Sequence, residues 1–105
     1  MISSSINISD EIGKLSASWS PLELARCNDH SIILAKFEGE YPGGFHAHTY
    51  DELFLVHEGE IVIQMEDKSP LTLKTGDIGV VPKGVRHCPK SDGASFVLMV
   101  EPKAE

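Results

Sequence analysis

Three histidines and one glutamate are the residues in this chain whose types and spacing best suit chemistry. His46 and His48 are separated by one residue, Glu52 follows four residues later, and His87 lies in a later segment rich in Gly and Pro. Side chains two apart on an extended strand point to the same side, so His46 and His48 are predicted to present two imidazoles to one pocket. Glu52 keeps the same even spacing and can add a carboxylate oxygen from that side.

These four residues form a ligand set that suits Fe(II), Mn(II), Ni(II) or Zn(II) and leaves two positions of an octahedron free for chemistry. A structural zinc site of the thiolate type is not expected, because Cys88 has the opposite strand parity to its neighbour His87. In the alternative interpretation, the histidines are core or surface residues that hydrogen-bond to one another. Four candidate ligands favour the metal site over that alternative.

Composition limits both the architecture and the partners. A chain of 105 residues with 41% hydrophobic content predicts one domain with a modest core. Nine basic against sixteen acidic residues give a net charge of −7, which repels phosphate backbones and anionic lipids, so neither nucleic acid nor membrane is an expected partner. No apolar run approaches the roughly eighteen residues that span a bilayer, and Met1 to Ser5 lack a signal-peptide layout. With only two cysteines, a cytoplasmic location is expected.

The segments that must position the ligands have the pattern of an all-β domain, in which turn residues separate short strands. After Pro21, short apolar or alternating runs are broken by Gly, Pro, Asn and Asp. Strands are predicted near Leu22–Arg26, Ser31–Glu38, Gly44–His48, Glu52–His57, Glu60–Glu66, Leu71–Lys74, Asp77–Val81, Val85–Cys88 and Ser95–Glu101.

The first twenty residues differ and are predicted to form an N-terminal arm ahead of a barrel over 21–105. A short helix is predicted from about Ser9 to Ser16, because Ser9 begins an N-cap pattern and apolar residues follow at helical spacing. Trp19 is expected to anchor the arm on the body or at a subunit contact, and a role in ligand binding is the alternative.

Two predicted strands are apolar on both faces and therefore need cover on both. Leu53-Phe54-Leu55-Val56 and Ile78-Gly79-Val80-Val81 show this pattern. Homodimerisation through an outer sheet face would supply the second cover in so small a protein.

Around the histidines the sequence resembles the cupin superfamily of small jelly-roll barrels. The first cupin motif has Gly, five residues, His-x-His, three or four residues, Glu, six residues and Gly, and the matching residues here are His46, His48, Glu52 and Gly59. The second has Gly, five residues, Pro-x-Gly, two residues, His, three residues and Asn, and here Gly76, Pro82, Gly84 and His87 match. Glu40 stands where the first motif begins with Gly, and Ser91 stands where the second ends with Asn. Neither departure falls on a ligand position.

The resemblance implies a small single-domain cupin, an all-β double-stranded β-helix or jelly-roll barrel, with a divalent transition metal held by His46, His48, Glu52 and His87. Tyr50, Phe54, Met65 and Met99 are the candidate pocket or outer-shell residues, although core packing also accounts for the last three. His57 has the wrong parity for the site.

Fold and metal do not select one reaction, because cupins include dioxygenases, isomerases, storage proteins and ligand-sensing domains. The first hypothesis is an enzyme, dioxygenase-like or isomerase-like, that acts on a small organic molecule by oxygenase or Lewis-acid chemistry. The second is a non-catalytic module that binds or senses a small ligand. A structural or storage protein is the third.

Overall fold

A computed structural model describes residues 5–102. Residues 1–4 of the predicted arm, with most of the segment tested for a signal peptide, and residues 103–105 of the predicted barrel lie outside the described part. The described elements in chain order are α1 (Ile8–Ile12), β1 (Leu22–Cys27), β2 (His30–Glu40), β3 (Glu52–Glu58), β4 (Glu60–Met65), β5 (Leu71–Lys74), β6 (Ile78–Val81) and β7 (His87–Pro102). The predicted all-β jelly-roll fold with a short N-terminal helix is confirmed. Within residues 5–102 there is no helix of the length and apolarity that crossing a membrane would need.

The strands are antiparallel and curl into a barrel through the long strand β7. One path of hydrogen-bonded neighbours runs β1-β2-β7-β3-β6, while β4 pairs with β5 and with the first part of β7. The beginning of β7 lies beside β4, with Met65 opposite His87, and its end lies between β2 and β3. Because β7 takes part in both groups of strands, it draws them around a common interior.

The two strands predicted at the end of the chain are one continuous strand. The break predicted between the strands Val85–Cys88 and Ser95–Glu101 is wrong: Ser91, Asp92 and Gly93 form a bulge within β7, where the register against β2 shifts between Phe37 and Gly39. The buried hydroxyls of Ser91 and Ser95 lie 2.7 Å apart and satisfy each other inside the sheet. These hydroxyls let an irregular backbone remain in the strand instead of reversing direction.

The strand predicted over Gly44–His48 is also wrong. Gly44 has a left-handed backbone angle of +72°, and only one isolated bridge follows it, between His46 and His87. The two residues exchange both backbone bonds, His46 N to His87 O at 3.0 Å and His87 N to His46 O at 2.8 Å. This single bridge is enough to hold the first histidine opposite the last.

The core lies between the inner faces of the curled strands and contains Phe37, Phe54, Val56, Ile61 and Ile63. In β3, which is apolar on both faces, successive side chains alternate between the core and the outer face. Phe54 and Val56 are buried in the core, whereas Leu53 and Leu55 are half-buried on the outer face.

The N-terminal segment begins with a helix shorter than predicted. Helix α1 is capped by Asn7, whose side chain accepts from Asp10 N, and it ends at Ile12, with Gly13 as its C-cap, instead of continuing to Ser16. Glycine is a poor helix former, which explains the early end.

The anchoring role expected of Trp19 is confirmed. Its ring stacks on Phe37 with centroids 4.4 Å apart, and its Nε1 donates to the carbonyl of Glu38 at 3.0 Å.

Candidate metal centre

The three histidines of the two motifs meet inside the barrel. One ring nitrogen from each of His46, His48 and His87 lies within 4.8 Å of the other two. The ring centroids are 4.5 Å apart for His46 and His87, 4.9 Å for His46 and His48, and 5.6 Å for His48 and His87. Two of these rings come from the loop before β3 and the third from the first residue of β7, so the curl of the sheet brings them together.

Glu52 adds a carboxylate to the same cluster. It is the first residue of β3 and is buried, with 5% of its surface exposed. Its Oε1 lies 3.5 Å from His48 Nε2 and 3.4 Å from His87 Nε2. The structure therefore brings all four predicted ligands into one region.

Backbone carbonyls orient two of the imidazoles. His87 Nδ1 donates to the carbonyl of Val85 at 2.9 Å, and His46 Nδ1 donates to the carbonyl of Gly44 at 3.2 Å. Such outer-shell bonds select the tautomer with its lone pair on Nε2 and point that atom at the centre of the cluster.

The residues fit a transition metal ion because one of these nitrogens, His87 Nε2, makes no hydrogen bond and has the Glu52 carboxylate beside it, with Oε1 3.4 Å away. Among the described residues with buried side-chain polar atoms, His87 Nε2 is the atom without a hydrogen bond. A buried polar atom without a partner is costly, and binding to a metal would remove that cost. Imidazole nitrogens with a carboxylate oxygen are a donor set that first-row transition metals accept.

The pKa values show how strongly these groups interact. Burial lowers the pKa of His48, helped by the neighbouring His46 and His87 and opposed by Glu52. Burial also acts to lower the pKa of His87, but the Glu52 carboxylate and the Val85 carbonyl raise this pKa above its ordinary value. Burial acts to raise the pKa of Glu52, yet its interactions with His87, Glu101 and His48 hold it below its ordinary value.

The site contains a second carboxyl group that the sequence analysis missed. Glu101, near the end of β7, hydrogen-bonds to both Glu52 and Tyr50, and burial with the Glu52 charge raises its pKa to about 8. Its alternation with Val97 and Met99 on the inner face of β7 is the signal that could have found it. Tyr50 stacks on His48 with centroids 4.8 Å apart, and burial with the Glu101 and Glu52 charges raises its pKa to about 12.

A cavity of about 240 Å³ opens beside the histidines. Phe54 and Met99 line it, as do Trp19 and Pro21 from the segment before β1. The other candidate pocket residues lie elsewhere: Tyr50 lies behind His48, and Met65 packs against the core cluster. The remaining lining residues are Ile33, Ala35, Phe37, Tyr41, His46, His48, Glu52, His87, Pro89 and Glu101.

His57 and Cys88 lie apart from the cluster, as their parity predicts. Neither His57 nor Cys88 lines the cavity. His57 Nε2 lies 3.3 Å from Ser9 Oγ on the outer side of β3. Cys88 is buried with its Sγ 3.8 Å from the Tyr41 carbonyl.

Fold and site together define a small jelly-roll protein with a cluster of three histidines. A family model described as "Cupin domain" matches residues 35–101. The chain belongs to this family, and the resemblance drawn from its two motifs is confirmed.

Known proteins are similar over most of the chain. The uncharacterized protein YdbB of Bacillus subtilis (strain 168) is 38% identical over 96 residues, which cover 91% of this chain and 81% of that protein. The crystal structure of a cupin-2 domain containing protein from Shewanella frigidimarina NCIMB 400 has a TM-score of 0.87 at 36% identity, covering 93% of this chain and 94% of that one.

A larger enzyme shares the fold. Hydroquinone 1,2-dioxygenase from Sphingomonas sp. TTNP3, in complex with 4-nitrophenol, has a TM-score of 0.88 at 24% identity. The match covers 96% of this chain but 33% of the dioxygenase chain, and at that identity the likeness concerns the fold.

Proposed function

We propose that the protein binds a divalent transition metal, Fe, Mn, Ni or Zn, through His46, His48, Glu52 and His87, and acts on a small organic molecule in the adjoining cavity by oxygenase or Lewis-acid chemistry. The observation that carries the proposal is His87 Nε2, which is buried without a hydrogen bond beside two further imidazoles. A bound ion would supply free coordination positions that polarise an oxygen of the substrate and, if the ion is iron, activate O₂.

The chain's own residues would divide the remaining work. Glu52 offsets part of the ion's charge, and the carbonyls of Val85 and Gly44 hold two imidazoles in orientation. Apolar walls that include Phe54 and Met99 exclude water from the substrate side. Those walls also favour the alternative function, a module that binds or senses a small ligand without turnover, because they contribute affinity but no reacting group.

Metal content tests the site directly. Protein purified without a tag is stripped with a chelator and titrated separately with Fe(II), Mn(II), Ni(II) and Zn(II), with bound metal measured by element analysis. Losing an outer-shell partner costs about 10–100-fold in affinity, so losing a ligand in His48→Ala or Glu52→Ala is expected to cost more than about 100-fold. The matched control is His30→Ala, an exposed histidine of β2. Unchanged metal affinity in both ligand variants would contradict the site.

Turnover separates the two functions. Oxygen uptake by the iron form is measured with a panel of small carboxylates, catechols and thiols, and the zinc form is screened with the same panel for product formation. Turnover that is lost in His48→Ala supports the enzyme. Thermal stabilisation by a panel compound without turnover supports the binding module.

We also propose that the protein is a cytoplasmic homodimer joined through the outer face of the sheet. Two rows of outward side chains cross five strands. The first is Val80, Leu53, Val100, Ile32 and Ala25, and the second is Ile78, Leu55, Leu98, Leu34 and Leu22. Leu34 and Leu98 are already buried within the chain, so the surface offered to a second copy centres on Ile78, Val80, Leu53 and Leu55.

The occupant that fits this face is a second copy of the chain. The rows contain no charged residue, so two copies that each carry a net charge of −7 can meet there without direct repulsion. The free thiols of Cys27 and Cys88 support a reducing compartment.

A further inference from the structure

We propose that the cavity binds small phenols, with the ring against Trp19 and the hydroxyl at the histidine end. The part of this inference that concerns the hydroxyl rests on the proposed metal site, while the part that concerns the ring rests on the cavity walls alone.

The size of the cavity suits a ligand of one ring. An apolar cavity of about 150 Å³ is enough to hold benzene. The cavity here measures about 240 Å³, so it has room for a six-membered ring with a few small substituents. A ligand larger than one substituted ring would extend out of the cavity through its opening.

The walls suit a flat ring because aromatic side chains lead from the arm to the histidines. Trp19 stacks on Phe37 and meets the Tyr41 ring edge-on at 5.4 Å, and Tyr41 lies 4.9 Å from His46. Aromatic rings prefer offset-stacked or edge-to-face neighbours, and a planar ligand can adopt such geometry against these walls, whereas a puckered ring cannot.

The charges in the cavity favour a neutral hydroxyl over a carboxylate. Within the described part of the chain, the residues that line the cavity include Glu52 and Glu101 but no Lys or Arg. A ligand carboxylate would therefore meet two carboxyl groups and neither Lys nor Arg, with only the imidazoles of the histidine cluster to pair with. A phenolic oxygen needs no such partner and can bind a metal or donate its hydrogen to a carboxylate.

Trp19 is held in an unusual conformation at this wall. Its φ is +63°, in the left-handed region that bulky side chains rarely adopt. Its amide donates to the Lys36 carbonyl at 2.8 Å and its indole to the Glu38 carbonyl at 3.0 Å, so both ends are fixed. Trp19 and Pro21 also lie outside the residues matched by the family, 35–101. Backbone strain retained at a cavity wall points to a role in binding, so Trp19 is the residue that selects the flat ring.

The test compares phenol with cyclohexanol, which keeps the size and hydroxyl but lacks the flat ring. Binding is measured by calorimetry on metal-free and zinc-loaded protein, and the fluorescence of Trp19, the single tryptophan of the chain, serves as a second readout. We expect phenol to bind about tenfold more tightly than cyclohexanol in both forms, from one or two aromatic contacts. Zinc should strengthen the binding of phenol further.

Substitution of Trp19 then tests whether this residue causes the preference for phenol over cyclohexanol. Trp19→Leu should bring the two affinities together while leaving zinc affinity unchanged, whereas Trp19→Phe should retain most of the preference and serves if the leucine variant does not fold. Equal affinities in the unchanged protein, or a preference that survives Trp19→Leu, would overturn the assignment of Trp19. Zinc binding without a phenol preference overturns this inference and leaves the proposed function standing. A phenol preference in a protein that binds none of Fe(II), Mn(II), Ni(II) and Zn(II) supports the ring site and contradicts the proposed metal centre.

Discussion

Protonation at the site is shared between Glu52 and Glu101, two carboxyl groups joined by a hydrogen bond. The pKa of Glu52 is lowered and that of Glu101 is raised to about 8. The pair therefore retains a proton on Glu101 at pH values at which an isolated glutamate would have lost it. Such opposite shifts are typical of two acids that cannot both ionise at close range.

This pair predicts a specific pH dependence for the stability of the metal-free protein. The pKa of Glu101 is about 8 in the folded protein against the ordinary 4.5. Its contribution to the free energy of unfolding is therefore complete below pH 4.5 and is lost as the pH rises towards about 8. Glu101→Gln cannot ionise, so its melting temperature relative to the unchanged protein should rise across that window. Thermal melts of both proteins at several pH values measure the difference, with the exposed Glu58→Gln as control. A difference that does not vary with pH would contradict the shared proton.

At the scale of elements, the turn between β3 and β4 depends on one glycine. Gly59 has a φ of +119°, and a Cβ at this position would clash with the side chain and backbone of Ser95. The Gly59 amide also donates to Thr75 Oγ1 at 2.9 Å, which joins this turn to the one after β5. The turn is therefore restrained by backbone angle, by space and by a hydrogen bond at once.

We expect Gly59→Ala to reduce the free energy of unfolding by about 2–5 kcal/mol, the sum of backbone strain and overpacking. Gly76→Ala is the matched control, because Gly76 has a φ of +88° but nothing within 4 Å of its added Cβ. Strain alone should cost that variant about 1–2 kcal/mol. Denaturant unfolding measures both, and equal losses would show that the contact with Ser95 contributes nothing.

At the scale of the whole molecule, the outer face of the sheet is exposed at β6 and half-buried at β3, whereas Leu34 and Leu98 further across it are already buried. Ile78 is 62% exposed and Val80 47% exposed, beside the half-buried Leu53 and Leu55. Contiguous apolar surface of this kind is typical of an interface and exceptional on a monomer.

If the second copy covers this face, Ile78→Glu should produce a monomer, because the dimer would bury two unpaired charges. Thr72→Glu, at an exposed position of β5, is the matched control and should leave the dimer intact. Light scattering after size-exclusion chromatography gives both masses. A monomeric mass for the unchanged protein would refute the proposed homodimer.

Much of the molecule could be predicted from the sequence because it depends on neighbouring residues. The alternation of apolar side chains and the position of turn residues correctly predicted β5 at Leu71–Lys74 and placed β1, β3 and β4 to within a residue at either end. The motif around His46 and His87 likewise predicted the family, which the match over residues 35–101 confirms. The role of the four ligands in metal binding remains a prediction that the assembled cluster supports.

Tertiary structure decided what depends on residues far apart in the chain. The bulge at Ser91 stays in the strand because Ser95 satisfies it, and His46 is held by one bridge to His87 instead of by a strand. Trp19 and Glu101 reach the cavity because the arm folds back on β2 and because the end of β7 lies beside β3. A local pattern determines which face of a strand a side chain occupies, but the curvature of the closed barrel determines which faces meet.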